Sequence, residues 1–113
     1  MREVLNAKIH NATVTEADLA YIGSITIDGA LMDAVGLWEG QKVMVVSNTS
    51  GARLETYVIR GEDNSGIICM NGACSHLIKE GEQIIIMGFE FSTKPRIPKI
   101  VLVDEGNRIT KHL

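Results

Sequence analysis

The chain has 113 residues, of which 45% are hydrophobic and 4% aromatic, and its formal net charge is -3. This length and apolar content are enough for a single domain, residues 1–113, with its own core, although a domain this small is often stabilised by oligomerisation. The negative charge, the scarcity of aromatic side chains and the lack of a lysine or arginine run argue against nucleic acid as a partner.

The sequence also allows expectations about where the protein is located in the cell and whether it binds a metal. No apolar run approaches the ~18 residues needed to span a bilayer, and the first residues lack the apolar core of a signal peptide. We therefore expect a cytoplasmic protein without membrane contact, in which Cys69 and Cys74 are reduced. Because His10, His76 and His112 are scattered without metal-ligand spacing, no metal site is predicted.

Short segments rich in Val and Ile alternate with Gly, Asn and Asp, which is typical of a mainly β protein. The pattern predicts strands at residues 3–10, 12–14, 24–27, 42–47, 53–60, 67–70, 83–90 and 99–103. A first helix is predicted at 29–35, with Asp28 as its N-cap and Gly36 at its end, and a second at 73–77. Residues 91–98 are expected to form a loop, and residues 106–113 a polar tail.

The two predicted helices belong to an internal repeat. Residues 25–30 read ITIDGA and residues 68–73 read ICMNGA, and each segment is followed by a Glu-Gly pair and another apolar segment. Each copy therefore reads as strand, Asx-Gly-Ala turn, short helix, Glu-Gly turn and strand. Such a duplication predicts approximate two-fold symmetry within the domain.

Gly23 and Ser24 place a hydroxyl nucleophile directly after a residue without a side chain. Glycine adopts backbone conformations that other residues cannot, and it leaves its carbonyl unshielded, so the Ser24 hydroxyl can approach the Gly23 carbonyl. Attack would replace the peptide bond by an ester. A Gly-Ser pair alone is more often a turn or a weak point in a strand, so the surrounding residues must decide between the two interpretations.

Small and polar residues in the rest of the chain, taken in order, resemble those of the aspartate 1-decarboxylases. The matching segments run nearly from end to end: residues 8–10, 13–15, 17–19, 21–24, 27–28, 51–53, 56–57, 71–73 and 100–104. No single segment is decisive, but the ordered set is specific.

The resemblance implies a six-stranded double-psi β-barrel and a homotetramer with its sites at subunit interfaces. It also implies a proenzyme that cleaves itself between Gly23 and Ser24, leaving chains 1–23 and 24–113, with Ser24 converted into a pyruvoyl group. That covalent group would form a Schiff base with L-aspartate, without PLP or a metal. The implied reaction yields β-alanine and carbon dioxide, for pantothenate and coenzyme A biosynthesis.

Roles for individual residues follow from the same resemblance. In self-processing, Thr56 and Asn71 are expected to hold the region of the Gly23 carbonyl. Strand alternation, however, puts Arg53 and Tyr57 on one face of their strand and Thr56 on the other. A bulge, a strong twist or a neighbouring subunit would be needed to bring Thr56 to the same centre.

In turnover, a forked guanidinium suits a substrate with two carboxylates, so Arg53 is the expected carboxylate ligand, with Lys8 as a second cation. Tyr57 is the expected proton donor. The remaining expected site residues are Asn71, Gly72 and Ala73 in substrate binding, and His10 and Tyr21 in the pocket lining.

Asn11 and the Ala73-Cys74-Ser75 run depart from the family pattern, and Cys74 and Ser75 are expected to affect one wall of the pocket. Trp38 and Met70 are interpreted as core or interface packing. Two other functions stay open: a non-catalytic binding or assembly module with an intact chain, and a swapped-hairpin DNA-binding barrel, which the negative charge disfavours. Within the enzyme class, the substrate could be a related acidic amino acid.

Overall fold

The computed structural model describes residues 1–113, in which nine strands form one hydrogen-bonded sheet and two short helices connect strands. In chain order the elements are β1 (Arg2–Thr13), β2 (Glu16–Asp18), β3 (Ser24–Asp28), α1 (Gly29–Val35), β4 (Lys42–Ser47), β5 (Arg53–Gly61), β6 (Ile68–Asn71), α2 (Cys74–Leu77), β7 (Gln83–Ser92), β8 (Lys99–Val103) and β9 (Ile109–His112). The strand order across the sheet is β2-β6-β3-β5-β4-β7-β1-β8-β9. Neither helix has the length and apolarity to cross a membrane.

One cluster of 20 buried apolar residues forms the core. The strands supply it at alternate positions, because successive side chains of a strand point to opposite faces. Pairs of such residues are Ile25 and Ile27 on β3, Val43 and Val45 on β4, and Ile84 and Ile86 on β7. The side chains between them face away from the core, and the candidate site lies on that outer face.

The predicted internal repeat is confirmed. The first copy is β3-α1-β4 and the second is β6-α2-β7. Each strand pairs antiparallel with its counterpart: Ile25 lies opposite Met70 in β3 and β6, and Val45 lies opposite Ile86 in β4 and β7. A two-fold axis requires this antiparallel pairing of equivalent strands, so the structure has the approximate symmetry that the sequence predicted.

The helices of the two copies differ in how they begin. In the first copy Asp28 Oδ1 accepts a hydrogen bond from Ala30 N at 2.9 Å, and α1 ends at Gly36, whose φ of 76° is left-handed. Both ends are as predicted. In the second copy Asn71 stands where Asp28 stands in the first, but α2 has no side-chain cap bond and only four residues. The Asn71 side chain is directed elsewhere.

The mainly β fold class is confirmed, and the sheet contains nine strands where six were expected for the barrel itself. The predicted break in the first strand is a local irregularity within one continuous β1: Asn11 has a φ of 65°, and the pairing register with β7 shifts between Ile9 and Ala12. The break in the apolar pattern thus marks a bulge and not the end of a strand.

The ends of the sheet differ from the sequence prediction. The expected polar tail was wrong over residues 109–112, which form β9 and pair with β8. The short β2 was not predicted, and the loop predicted at 91–98 begins later because β7 continues to Ser92. All residues of β2 and β9 are exposed, so neither strand shows the apolar alternation by which strands are recognised.

Candidate active site

Ser24 is the first residue of β3 and is 0% exposed. The antiparallel pairing of β3 with β6 puts Asn71 directly opposite. Asn71 Nδ2 donates a hydrogen bond to Ser24 Oγ at 2.8 Å, and the Ser24 hydroxyl lies 3.3 Å from the Ile22 carbonyl oxygen, which accepts from it. A buried hydroxyl, held by a donor and an acceptor, therefore directly follows Gly23.

The turn after Asn71 packs against the backbone that precedes Ser24. Gly72 has a φ of 60°, and its N–H donates to the Asp18 carbonyl at 2.8 Å. A Cβ on Gly72 would lie 2.6 Å from both the Gly23 nitrogen and the Tyr21 carbonyl oxygen. Only glycine allows this approach, so Gly72 supports the position of the Gly23–Ser24 peptide bond.

Gly23 differs from the sequence expectation. Its φ is not positive, and a Cβ built there would meet only the Asn71 carbonyl oxygen, at 4.0 Å. The expected need for a conformation closed to other residues is therefore not found at Gly23. The strict requirement for glycine lies across the turn at Gly72, although an unshielded carbonyl at Gly23 remains consistent with the original reasoning.

Tyr57 and Thr56 lie on the strand next to Ser24. β3 and β5 are parallel, with Ile25 beside Val58, and both of these side chains are buried in the core. Continuing that register by one residue places Tyr57 level with Ser24, on the outer face of both strands. Thr56 lies on the opposite face, as strand alternation predicted.

The two expected cations are separated from Ser24 within one chain. Arg53 shares the outer face of β5 with Tyr57 but lies four residues earlier, about 13 Å along the strand. Lys8 lies on β1, and β5, β4 and β7 stand between β1 and β3 in the strand order. Neither cation makes a hydrogen bond or ion pair with Ser24, Asn71 or Tyr57.

The two expected pocket-lining residues differ in position: Tyr21 lies close to the Ser24 cluster, whereas His10 is on β1, four strands from β3 in the strand order. His10 is half-buried on the same face of β1 as Lys8, and its Nδ1 has no hydrogen-bond partner. Burial lowers the pKa of His10, and the positive charge of Lys8 lowers it further, so the imidazole is neutral at pH 7. Tyr21 is 52% exposed, in the segment that leads to Gly23.

Two residues near Ser24 were missed as site residues by the sequence reasoning. Cys69 Sγ donates to Asn71 Oδ1 at 3.1 Å, and Thr26 Oγ1 accepts from Asn71 Nδ2 at 2.9 Å. Strand alternation could have found both, since Cys69 lies two residues from Asn71 and Thr26 two residues from Ser24. Ser75, which was expected to affect one wall of the pocket, donates from its hydroxyl to the Gly72 carbonyl at 2.7 Å.

Five surface cavities have linings that do not include Ser24, Asn71 or Tyr57. Trp38 is 79% exposed, so its interpretation as core is wrong and packing at an interface is the interpretation that remains. Met70 is fully buried in the core, as predicted.

The two glycines of the site should respond differently to substitution. Gly72→Ala should lower the melting temperature clearly, because a left-handed alanine costs about 1–3 kcal/mol and its Cβ would also collide with the backbone at Gly23. Gly23→Ala should change it little. Thermal unfolding of both variants in a Ser24→Ala background, which excludes any change of covalent structure at residue 24, measures this. Equal losses of stability would contradict the assignment of the constraint to Gly72.

The comparisons with known proteins agree with the geometry. The family model described as aspartate decarboxylase matches residues 1–110. A protein of Caldicellulosiruptor saccharolyticus named aspartate 1-decarboxylase is 54% identical over 113 residues, covering 96% of this chain and 88% of the relative. A protein of the same name from Bacillus cereus is 50% identical over 116 residues, covering 99% of this chain and 91% of the relative.

Among solved structures, the crystal structure of the computationally designed protein msDPBB_sym2 matches with a TM-score of 0.47 and 18% identity, over 77% of this chain and 99% of the designed one. This likeness is too distant to bear on the fold or the function. The family model and the two relatives do bear on both, since they match nearly the whole chain. The resemblance seen in the sequence is thereby confirmed, and the chain belongs to the aspartate decarboxylase family of enzymes.

Proposed function

We propose that the chain is a proenzyme that cleaves its own Gly23–Ser24 bond, converts Ser24 into a pyruvoyl group and decarboxylates L-aspartate to β-alanine and carbon dioxide. The observation that carries the proposal is the buried Ser24 hydroxyl, which directly follows Gly23 and accepts a hydrogen bond from Asn71 Nδ2. Ser24 also lies within residues 21–24, one of the segments that resemble the family, which supports a functional role for its hydroxyl.

Cleavage begins when Ser24 Oγ attacks the Gly23 carbonyl carbon. The C–N bond of that peptide breaks, the nitrogen gains the proton lost by the hydroxyl, and an ester joins the two residues. The Ser24 Cα then loses a proton and the Cβ–Oγ bond breaks, so Gly23 leaves as a carboxylate and residue 24 becomes dehydroalanine. Addition of water and loss of ammonia give the ketone of the pyruvoyl group, and the products are chains 1–23 and 24–113.

Thr56 is proposed to help hold the Gly23 carbonyl during this attack. Thr56 lies two residues before Val58, the partner of Ile25 on the neighbouring strand, and Gly23 lies two residues before Ile25. Thr56 points to the face opposite Ser24 Oγ, but a backbone carbonyl lies between the two faces of a sheet. This position in the chain supports the proposed contact of the Thr56 hydroxyl with the Gly23 carbonyl.

The pyruvoyl ketone would supply the electron sink for decarboxylation, so the proposed reaction needs neither PLP nor a metal. The protein's own side chains orient the substrate and move protons. Tyr57, level with Ser24 on the outer face, is proposed to protonate the α carbon after carbon dioxide leaves. Asn71, Gly72 and Ala73 lie beside residue 24 and are proposed to contact the substrate.

Arg53 and Lys8 are proposed to bind the two substrate carboxylates, with His10 and Tyr21 lining the pocket. In one chain Lys8 and His10 lie four strands from Ser24 in the sheet order. We propose that these groups come from two chains, in a homotetramer with its sites at subunit interfaces. Exposed apolar side chains near Ser24, including Tyr21, Ile22 and Leu77, fit such a contact.

The proposed enzyme acts in the cytoplasm, where its product β-alanine enters pantothenate and coenzyme A biosynthesis. Membership of the aspartate decarboxylase family supports this setting. The proposed reaction involves neither nucleic acid nor a membrane.

Ser24→Ala should fold but remain a single chain, because it removes the attacking oxygen and little else. The wild-type protein should separate into fragments 1–23 and 24–113 on a denaturing gel. Its larger fragment should resist N-terminal sequencing, since a pyruvoyl group has no free amine. Intact-mass measurement of both proteins checks this, and an aged, folded wild type of full mass would contradict the proposed function.

Tyr57→Phe should process itself normally but turn over about 100-fold more slowly, because it loses a general acid that is needed only after carbon dioxide has left. The measurement is carbon dioxide release from aspartate, normalised to the pyruvoyl content found by mass spectrometry. Wild-type turnover in a fully processed variant would assign the proton to another donor.

Subunit sharing predicts complementation between two inactive variants. Lys8→Ala retains Ser24, and Ser24→Ala retains Lys8, so each homotetramer should be inactive for a different reason. Co-expression should restore activity to about a quarter of the wild-type sites, the fraction in which both contributing chains carry the intact residue. Mixed tetramers that form but stay inactive would show that one chain supplies both residues.

A further inference from the structure

The Asn71 side chain is held by two neighbours that have no assigned role. Its Nδ2 donates to Thr26 Oγ1 at 2.9 Å as well as to Ser24 Oγ, and its Oδ1 accepts from Cys69 Sγ at 3.1 Å. We infer that Cys69 and Thr26 are positioning residues for self-cleavage, which fix the Asn71 amide with its nitrogen toward Ser24. This inference rests on the proposed function.

The amide of Asn71 has two N–H donors on one atom and one carbonyl oxygen on the other, so its two orientations are not equivalent. In the observed orientation both N–H groups meet hydroxyl oxygens, and the carbonyl oxygen meets a thiol. Rotation by 180° would turn the NH2 group toward Cys69 sulfur, which is a weak acceptor. Burial, followed by the charges of Glu16 and Asp18, raises the pKa of Cys69, so its thiol stays protonated and able to donate.

Thr26 completes the arrangement from the neighbouring strand. Thr26 and Cys69 are direct cross-strand partners, two residues along the ladder from the Ser24 and Asn71 pair and on the same face. The Thr26 methyl group lies against Gly61, where an added Cβ would come within 3.0 Å of it. This packing restricts the rotamer of Thr26 and leaves its hydroxyl oxygen facing Asn71.

The fixed orientation matters because negative charge develops on Ser24 Oγ at two stages. The oxygen becomes more negative as its proton leaves, and again when the Cβ–Oγ bond breaks and the oxygen departs in the Gly23 carboxylate. An N–H that already points at Oγ stabilises both charges without reorganisation. The carbonyl end of the amide could not do so, since it only accepts hydrogen bonds.

The test is the first-order rate of cleavage, followed by intact mass, in wild type and in variants at both positions. Cys69→Ala and Thr26→Val should each slow cleavage about tenfold, the effect expected when one orienting hydrogen bond is lost. Cys69→Ser should recover most of the rate because a hydroxyl can donate to Asn71 Oδ1, and Thr26→Ser should do the same because it keeps the acceptor. Thr110→Val, a matched threonine substitution on the exposed strand β9, should cleave at the wild-type rate.

Thermal unfolding of each variant separates loss of rate from loss of fold. The inference is overturned if wild type cleaves and Cys69→Ala and Thr26→Val keep pace with it. It is also overturned if Cys69→Ser is as slow as Cys69→Ala, because packing alone would then explain the cysteine. Uncleaved wild type would overturn the proposed function and this inference together, a result distinct from the other two.

Discussion

The antiparallel pairing of β3 with β6 is the contact on which the candidate site depends. It puts Ser24 opposite Asn71 and Thr26 opposite Cys69, so these four side chains share one face. The register is held by the residues between them, since Ile25 and Met70 lie fully buried on the other face. A slip by one residue would turn the apolar set outward and the polar set into the core. Burial of apolar side chains therefore determines where the reactive hydroxyl lies.

In the internal repeat, two equivalent residues have different roles. Asp28 and Asn71 occupy equivalent places, yet Asp28 caps α1 while Asn71 turns toward Ser24 and leaves α2 without a side-chain cap. A carboxylate at 71 could only accept hydrogen bonds, whereas an amide can donate to the Ser24 oxygen. The second helix is short and has no side-chain cap because Asn71, the residue in the capping position, donates its hydrogen bond to Ser24 instead.

Much of this arrangement could be predicted from the sequence, and the remainder has identifiable physical reasons. Strands that bury alternate residues and a helix between Asp28 and Gly36 leave a periodic pattern, but β2 and β9 are exposed throughout and leave none. The sequence shows two glycines near Ser24 and cannot show which one has backbone within 3 Å of its missing Cβ. The expected role of Asn71 came from the family pattern, whereas its contacts with Ser24 and Thr26 depend on a cross-strand register that only the fold reveals.

The two proposed reactions, self-cleavage and decarboxylation, use residues from different strands. Self-cleavage needs Ser24, Asn71 and the support of Gly72, and these lie together within one chain. Turnover also needs cations to bind aspartate, and Lys8 lies four strands away in the sheet order. Under the proposal, a single folded chain has the parts to mature, and an assembly brings the substrate-binding charges to the matured residue. In the proposed enzyme, decarboxylation consequently depends on subunit association in a way that self-cleavage does not.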